Sequence, residues 1–231
     1  VRTLLDDPPR IAVGPGSRDK PLRRFALIGD VHAEDERLAT SIALARRESV
    51  EAILCVGDVA DGYGDLERTI EILERERVHV VRGNHDRWFV KDEMRTMTPI
   101  QLASSCPRAA EAARLWPPLL EVETIAGTLL LCHGVADDDM AVIKSHTRDH
   151  DLHWIAAWSR LTTRARHRFM AAGHTHEAMV RTIGAITILN PGTLKRDASP
   201  CVAIVDVATS KMDVHTLDDP HAAVFARALT W

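Results

Sequence analysis

Three short apolar runs, each closing on a glycine and a polar side chain, constrain this chain most. Phe25-Ala26-Leu27-Ile28 leads into Gly29-Asp30, Ala52-Ile53-Leu54-Cys55-Val56 into Gly57-Asp58, and Val78-His79-Val80-Val81 into Arg82-Gly83-Asn84. Such runs read as buried strands. Between them, Glu34 to Glu48 and Leu66 to Arg77 read as helices. In the first, Leu38, Ile42 and Ala45 share a face, acidic Glu34, Asp35 and Glu36 open it, and Arg46-Arg47 sit near its end, as the helix dipole prefers. Strand, helix, strand, helix, strand with short crossovers implies parallel strands joined right-handedly. In such sheets the polar residues just past the carboxyl ends of strands face a shared crevice, which predicts one site holding Asp30, Asp58 and Asn84.

The second half changes pattern. Leu119 to Thr124 and Thr128 to Cys132 flank Ala126-Gly127 as a hairpin, Arg168 to Ala172 is a strand, and Met179 to Ile183 with Ala185 to Leu189 make a second hairpin about Gly184. Val202 to Val207 and Lys211 to Thr216 form a third, and a final helix is expected over Pro220 to Leu229. Two inserts, at about 88–118 and 136–166, read as largely helical, within a single domain spanning 25–231. Residues 1–24, rich in Pro, Gly and charge, read as a flexible or loosely docked arm.

At 231 residues there is room for one large core or two small ones. Net charge is −4, so bulk attraction to nucleic acid or to an anionic membrane is not expected, and positive charge for an anionic substrate has to be local. Bound cations would provide it. Cys55, Cys106, Cys132 and Cys201 form no C-x-x-C pair and read as free thiols in a reducing cytosol, so a cytoplasmic location is expected. Oligomeric state has no signature here.

Chemistry gathers in five short patterns: Asp30-Val31-His32, Gly57-Asp58, Gly83-Asn84-His85-Asp86, Cys132-His133-Gly134 and Gly173-His174-Thr175-His176. Asp30 and His32, at alternate positions, point the same way if the backbone is extended. Carboxylate plus imidazole is a half-site for zinc, iron or manganese. Asp58 can offer both oxygens, and the Asn84 amide oxygen suits a hard or borderline cation. His174 and His176 can serve two neighbouring cations. Singly, each pattern has a plain alternative: a chance Asp-x-His, an ordinary Gly-Asp turn, a polar turn capping the next helix, a hydrogen-bonded histidine, a polar loop. Jointly, with the right residue types after successive strands, they point to a metal site.

In their order, the five patterns resemble the calcineurin-like metallophosphoesterase superfamily, from about Phe25 to Leu217. Asn190-Pro191-Gly192-Thr193 and the run Gly57 to Gly64 resemble its small prokaryotic phosphodiesterase branch. The resemblance implies an α/β fold, a four-layer α/β/β/α sandwich of two mixed sheets flanked by helices. It implies two divalent or mixed-valence transition-metal ions, Mn, Fe or Zn. One would be held by Asp30, His32, Asp58 and His176, the other by Asp58, Asn84, His133 and His174, with Asp58 bridging. His85 would touch the phosphoryl group and assist the leaving group as the catalytic residue. The reaction implied is hydrolysis of a small phosphodiester or phosphomonoester by a metal-bridging hydroxide, with cations about 3.5–4 Å apart. A nucleotide or dinucleoside-polyphosphate phosphatase is the alternative. A catalytically silent scaffold is another, although such relatives lose motif residues and this chain keeps them.

Departures are informative too. The protein Ser/Thr phosphatase branch carries a phosphate-gripping arginine where this chain has Gly62; Asp61 matches the aspartate that orients the catalytic histidine there. His146, His150 and His153 read as a solvated helical face, with a third metal site as the sharper alternative, and Arg164 to Arg168 as a charged helix end. Trp88 and Phe89 read as insert core or as a platform for a flat leaving group.

Overall fold

The alternating first third is realised as β1 (Arg24–Ile28), α1 (Asp35–Arg47), β2 (Ala52–Cys55), α2 (Leu66–Arg75) and β3 (His79–Val80) in the computed structural model, which describes residues 3–93 and 99–231. β1 pairs with β2 and β2 with β3, all parallel. α2 starts where the Asp65 side chain accepts the Arg68 N–H at 3.0 Å, and it buries Leu66, Thr69, Ile70 and Leu73, one stripe at helical spacing.

Next come α3 (Asn84–Lys91), α4 (Pro107–Leu115), β4 (Leu120–Thr124), β5 (Gly127–Leu131), α5 (Ala156–Arg164), β6 (Phe169–Ala171), β7 (Ala178–Ile183), β8 (Ile186–Pro191), β9 (Cys201–Asp206), β10 (Lys211–Thr216) and β11 (Val224–Thr230). One sheet runs β11-β10-β9-β1-β2-β3 and the other β4-β5-β6-β8-β7, each mixing parallel and antiparallel pairs.

Side-chain alternation along β1 assigns the layers. Phe25 and Leu27 enter a core shared with Val122, Leu129, Phe169 and Leu189 of the other sheet. Ala26 and Ile28 point the opposite way, into a core with Leu38, Ile70 and Ala113 of the covering helices. On the far side, Leu130, Met170 and Ile188 pack under Trp158 and Leu161 of α5. The result is helices, sheet, sheet, helices, so β1 is buried on both faces and reads as an unbroken apolar run. Among the described residues, no helix is long and apolar enough to cross a membrane.

Three expectations need revision. The segment expected to be a terminal helix is the strand β11, antiparallel to β10 across Thr216↔Val224 and Lys211↔Thr230. Its backbone groups find partners on the open edge of β10, a long-range opportunity that local helix propensity does not register. The N-terminal stretch lies along β4. The N–H of Glu121 donates to the Pro9 carbonyl (2.8 Å) and that of Leu22 to the Glu123 carbonyl (2.8 Å), while Leu5 and Leu22 are fully buried. It covers an edge that would otherwise stand open. Finally, the second insert is helical only over the 3₁₀ turn Asp149–Trp154 and α5. The first insert contains α4, and its residues 94–98 lie outside the described residues.

Candidate metal centre

Both sheets aim the carboxyl ends of their parallel strands at the same place. Asp30, Asp58 and Asn84 lie beyond β1, β2 and β3; His133 and His174 lie beyond β5 and β6. All of the expected site residues therefore meet at one rim. Asp30, His32, Asp58, Asn84 and His133 are buried; His85, His174 and His176 are half-buried.

Donor atoms form two trios. In each of Asp30/His32/His176 and Asp58/His133/His174, one donor atom per residue lies within 4.8 Å of the others. In the first, Nε2 of His32 is 3.3 Å from Nε2 of His176, which is 3.5 Å from Oδ1 of Asp30. In the second, Nε2 of His133 is 3.2 Å from Oδ2 of Asp58 and 2.8 Å from the amide oxygen of Asn84, which brings Asn84 to that trio. His85 touches both groups. Its ring centroid is 5.2 Å from that of His32, and its backbone N–H donates to Oδ1 of Asp58 at 2.8 Å.

The backbone is bent to do this. Asp30 (φ 42°), His32 (φ 48°), Asp58 (φ 49°), His174 (φ 63°) and His176 (φ 58°) all adopt left-handed conformations that cost non-glycine residues energy. Asp30 and His32 thus converge through a kinked segment, not through the extended one that their alternate spacing suggested. Gly83 is required by close approach: a Cβ there would fall 2.2 Å from Oδ1 of Asp58. Gly62 is equally constrained, since its Cβ would fall 1.7 Å from the His32 carbonyl oxygen. No arginine fits at that position.

Outer partners fix the donors. The Nδ1–H of His32 donates to the Asp61 carbonyl and that of His133 to the Val56 carbonyl, each at 2.8 Å. His32 then presents Nε2 as a lone pair, the usual arrangement behind metal-binding histidines, while His133 holds its Nε2 toward the Asp58 and Asn84 oxygens and would have to give up that proton to a cation. Asp30 accepts the His174 N–H at 3.0 Å. Asp86 takes the capping role at α3, accepting the N–H of Gly83 (2.9 Å) while its other oxygen ties down Val59 and Ala60 (2.9 and 3.0 Å). Thr193 donates to the Asp30 carbonyl, and Asn190 donates to the Gly173 carbonyl and Thr175. The sequence drew attention to the Asn190–Thr193 segment but not to this bracing of two donor loops; no signal marked Asp86 as a brace of the Asp58 loop.

Charge is arranged to match. Burial pushes Asp30 up to about 7. Burial also opposes the charge on Asp58, but the His133 imidazolium in contact with it prevails and holds the carboxyl well below its usual range. His133 rises to about 10 because Asp58 outweighs its burial. Burial lowers His32, His174 and His176, the last to about 4 with help from His32. Imidazoles that resist protonation leave their lone pairs free for a cation. Two buried carboxylates, an amide oxygen and four imidazoles are a mixed N/O donor set suited to Mn, Fe or Zn.

His85 stands slightly apart. Its Nδ1 is 2.8 Å from Oδ2 of Asp61; although burial works against it, that bond raises its pKa. Trp88 stacks edge-on to the same ring, centroids 5.0 Å apart, whereas Phe89 is fully buried core. The two adjacent aromatics therefore have different places. His146, His150 and His153 lie exposed on a loop and a 3₁₀ turn, not on one helical face.

This fold and these donors define a metal-dependent phosphoester hydrolase. The chain belongs to the calcineurin-like phosphoesterase superfamily, whose domain matches residues 24–210. Among solved structures it is similar to YfcE, a phosphoesterase from E. coli, at 17% identity over 90% of this chain and 98% of that one, TM-score 0.55. A metallophosphoesterase from Sphaerobacter thermophilus matches at 19% identity, covering 84% and 88%, TM-score 0.58. Vacuolar Protein Sorting 29 from Cryptosporidium parvum matches at 19%, covering 92% and 100%, TM-score 0.51. At such identities the likeness is one of fold.

Proposed function

We infer that the chain hydrolyses a small phosphodiester or phosphomonoester at a dinuclear centre. Asp30, His32 and His176 would hold one cation, Asn84, His133 and His174 the other, with Asp58 between them. The observation that carries this reading is the meeting of two donor trios beside His85. Bound cations would polarise the phosphoryl oxygens and lower the pKa of an attacking water.

The chain's own residues would do the rest. His85, whose charged form the Asp61 carboxylate favours, faces the space beside both trios and supplies a proton to the departing oxygen. Its backbone stays fixed because its N–H is bonded to Asp58 and Asp86 caps the helix that carries it. Trp88, half-buried against His85, offers a flat face to an aromatic or nucleobase leaving group. That contact favours nucleotide or dinucleoside-polyphosphate hydrolysis as the second reading. A silent scaffold is the third; the fold alone does not argue against it, but a complete donor set and a carboxylate-paired His85 do.

The test is metal-reconstituted turnover of bis-p-nitrophenyl phosphate, p-nitrophenyl phosphate and a nucleotide panel. Exhaustive chelation should abolish it, and Mn, Fe, Co or Zn should restore part of it. Full activity in protein shown by elemental analysis to be metal-free would sink the reading.

A further inference from the structure

Next to the second donor trio lies a cavity of 240 Å³ lined by Leu4, Arg82, Arg87, Pro118, His133, Ala136, Asp137 and Asp139. Arg82 and Arg87 flank Asn84 in sequence, and Asn84 contacts His133 at 2.8 Å, so this cavity abuts the donors. It is smaller than the roughly 300–1,000 Å³ of a whole small-molecule site, and suits one group of a larger ligand.

Its charges do not cancel. Arg87 is paired with Asp139 through two bonds, Nε to Oδ2 at 2.7 Å and Nη2 to Oδ1 at 3.1 Å. Asp137 is paired with Arg160, which comes from outside the cavity, at 2.7 Å. Arg82 is held by its backbone, whose N–H donates to the Pro117 carbonyl at 2.9 Å. Among the described residues its guanidinium makes no hydrogen bond or ion pair. Arg82 is thus a half-buried cation with no carboxylate partner among the described residues, one motif away from the donor trios, and its planar fork matches the oxygens of a phosphate.

A second, larger cavity of 610 Å³ shares Leu4, Pro118 and Asp137 with the first and continues along Thr3, Pro9 and Leu119. The small cavity therefore opens onto a groove walled by the N-terminal segment.

We propose that Arg82 is the anion-binding residue of a second substrate subsite, and that the substrate is a polyphosphorylated ester. Its scissile phosphoryl group lies at the donor trios, its next phosphate against Arg82, and its uncharged remainder along the Leu4–Pro118 groove. This rests on the hydrolase reading above and narrows its substrate class. It also answers how the chain, barred from an arginine at Gly62, supplies local positive charge from the protein itself.

The experiment compares Arg82→Gln with the parent on ATP, which has adjacent phosphates, and on p-nitrophenyl phosphate, which has one. Loss of a charge-assisted bond should lower kcat/KM for ATP about ten-fold or more, chiefly through KM, and leave p-nitrophenyl phosphate within about two-fold. Arg82→Lys, which keeps the charge but loses the fork, should fall between and serves if the Gln variant folds poorly. Equal effects on both substrates, or none, overturn the subsite while leaving the hydrolase reading intact. Calorimetric titration with inorganic pyrophosphate separates the two claims. If no ester is turned over by the parent but pyrophosphate binding weakens in the Arg82 variants, the subsite stands and the hydrolase reading falls. If pyrophosphate binds parent and variants alike, the subsite falls.

Discussion

Nδ1 of His85 lies 2.8 Å from Oδ2 of Asp61, a carboxylate with no solvent exposure that is fixed in turn by Gln101. The pairing holds the ring in one orientation and favours its charged form, leaving Nε2 free to face a substrate. His85→Ala should keep fold and metals yet lose about 10²–10⁴-fold in turnover. The loss should be smaller for p-nitrophenolate, which barely needs a proton, and larger for an alkoxide leaving group. Asp61→Asn should show the same leaving-group dependence, weaker in size. Unchanged turnover of poor leaving groups with metals still bound would remove His85 from the mechanism. Loss of metals would make it a ligand.

Asp58 should be the least replaceable donor. It contacts His133 through one oxygen and the His85 backbone through the other, and it is placed between the trios in the proposed centre. Asp58→Asn should reduce metal occupancy at both positions, measured by elemental analysis after dialysis. Two tightly bound metals per chain in this variant would contradict the bridging assignment.

Glu121 pins the N-terminal segment. It is 2% exposed, accepts from Arg10 (2.6 Å) and Arg166 (2.9 Å) through one oxygen and pairs with His167 (2.8 Å) through the other. Glu121→Ala strands two partly solvated arginines and leaves the buried His167 ring without its carboxylate partner, so a loss of about 2–3 kcal/mol is expected. Urea unfolding should register it, and hydrogen exchange should rise over residues 3–22 first. A loss below about 0.5 kcal/mol would show that the segment is held by Leu5 and Leu22 alone.

His79 gives a pH signature. Burial depresses its folded pKa below the ordinary 6.5. The unfolded chain therefore takes up the proton first, and stability falls as pH drops through 6.5 toward the folded value. His79→Gln should flatten this part of the stability profile relative to the parent between pH 7.5 and 5.5. If the two profiles stay parallel, His79 titrates alike in both states.

How much of this was legible in the residues depends on range. The first five elements follow from apolar runs and helical stripes, because Phe25–Ile28 and Leu66–Leu73 encode burial locally. The donor candidates were also legible, since Asp30, Asp58, Asn84, His133 and His174 each follow a strand-like run, and parallel strands deliver their carboxyl ends to one rim. The residues' own pattern did not sort those donors into two groups, which came only from the family resemblance; their meeting as two trios needs two sheets facing each other across Phe25, Leu129 and Phe169. Packing brought Asp61 against His85, a contact the resemblance had hinted at, and only packing left Arg82 without a side-chain partner among the described residues. It also turned Val224–Thr230 into a strand and laid residues 9–22 along β4, because an open sheet edge offers backbone partners that no local pattern announces. Sequence by itself determined which chemical groups stand at the strand ends; packing of one sheet on the other decided which of them touch.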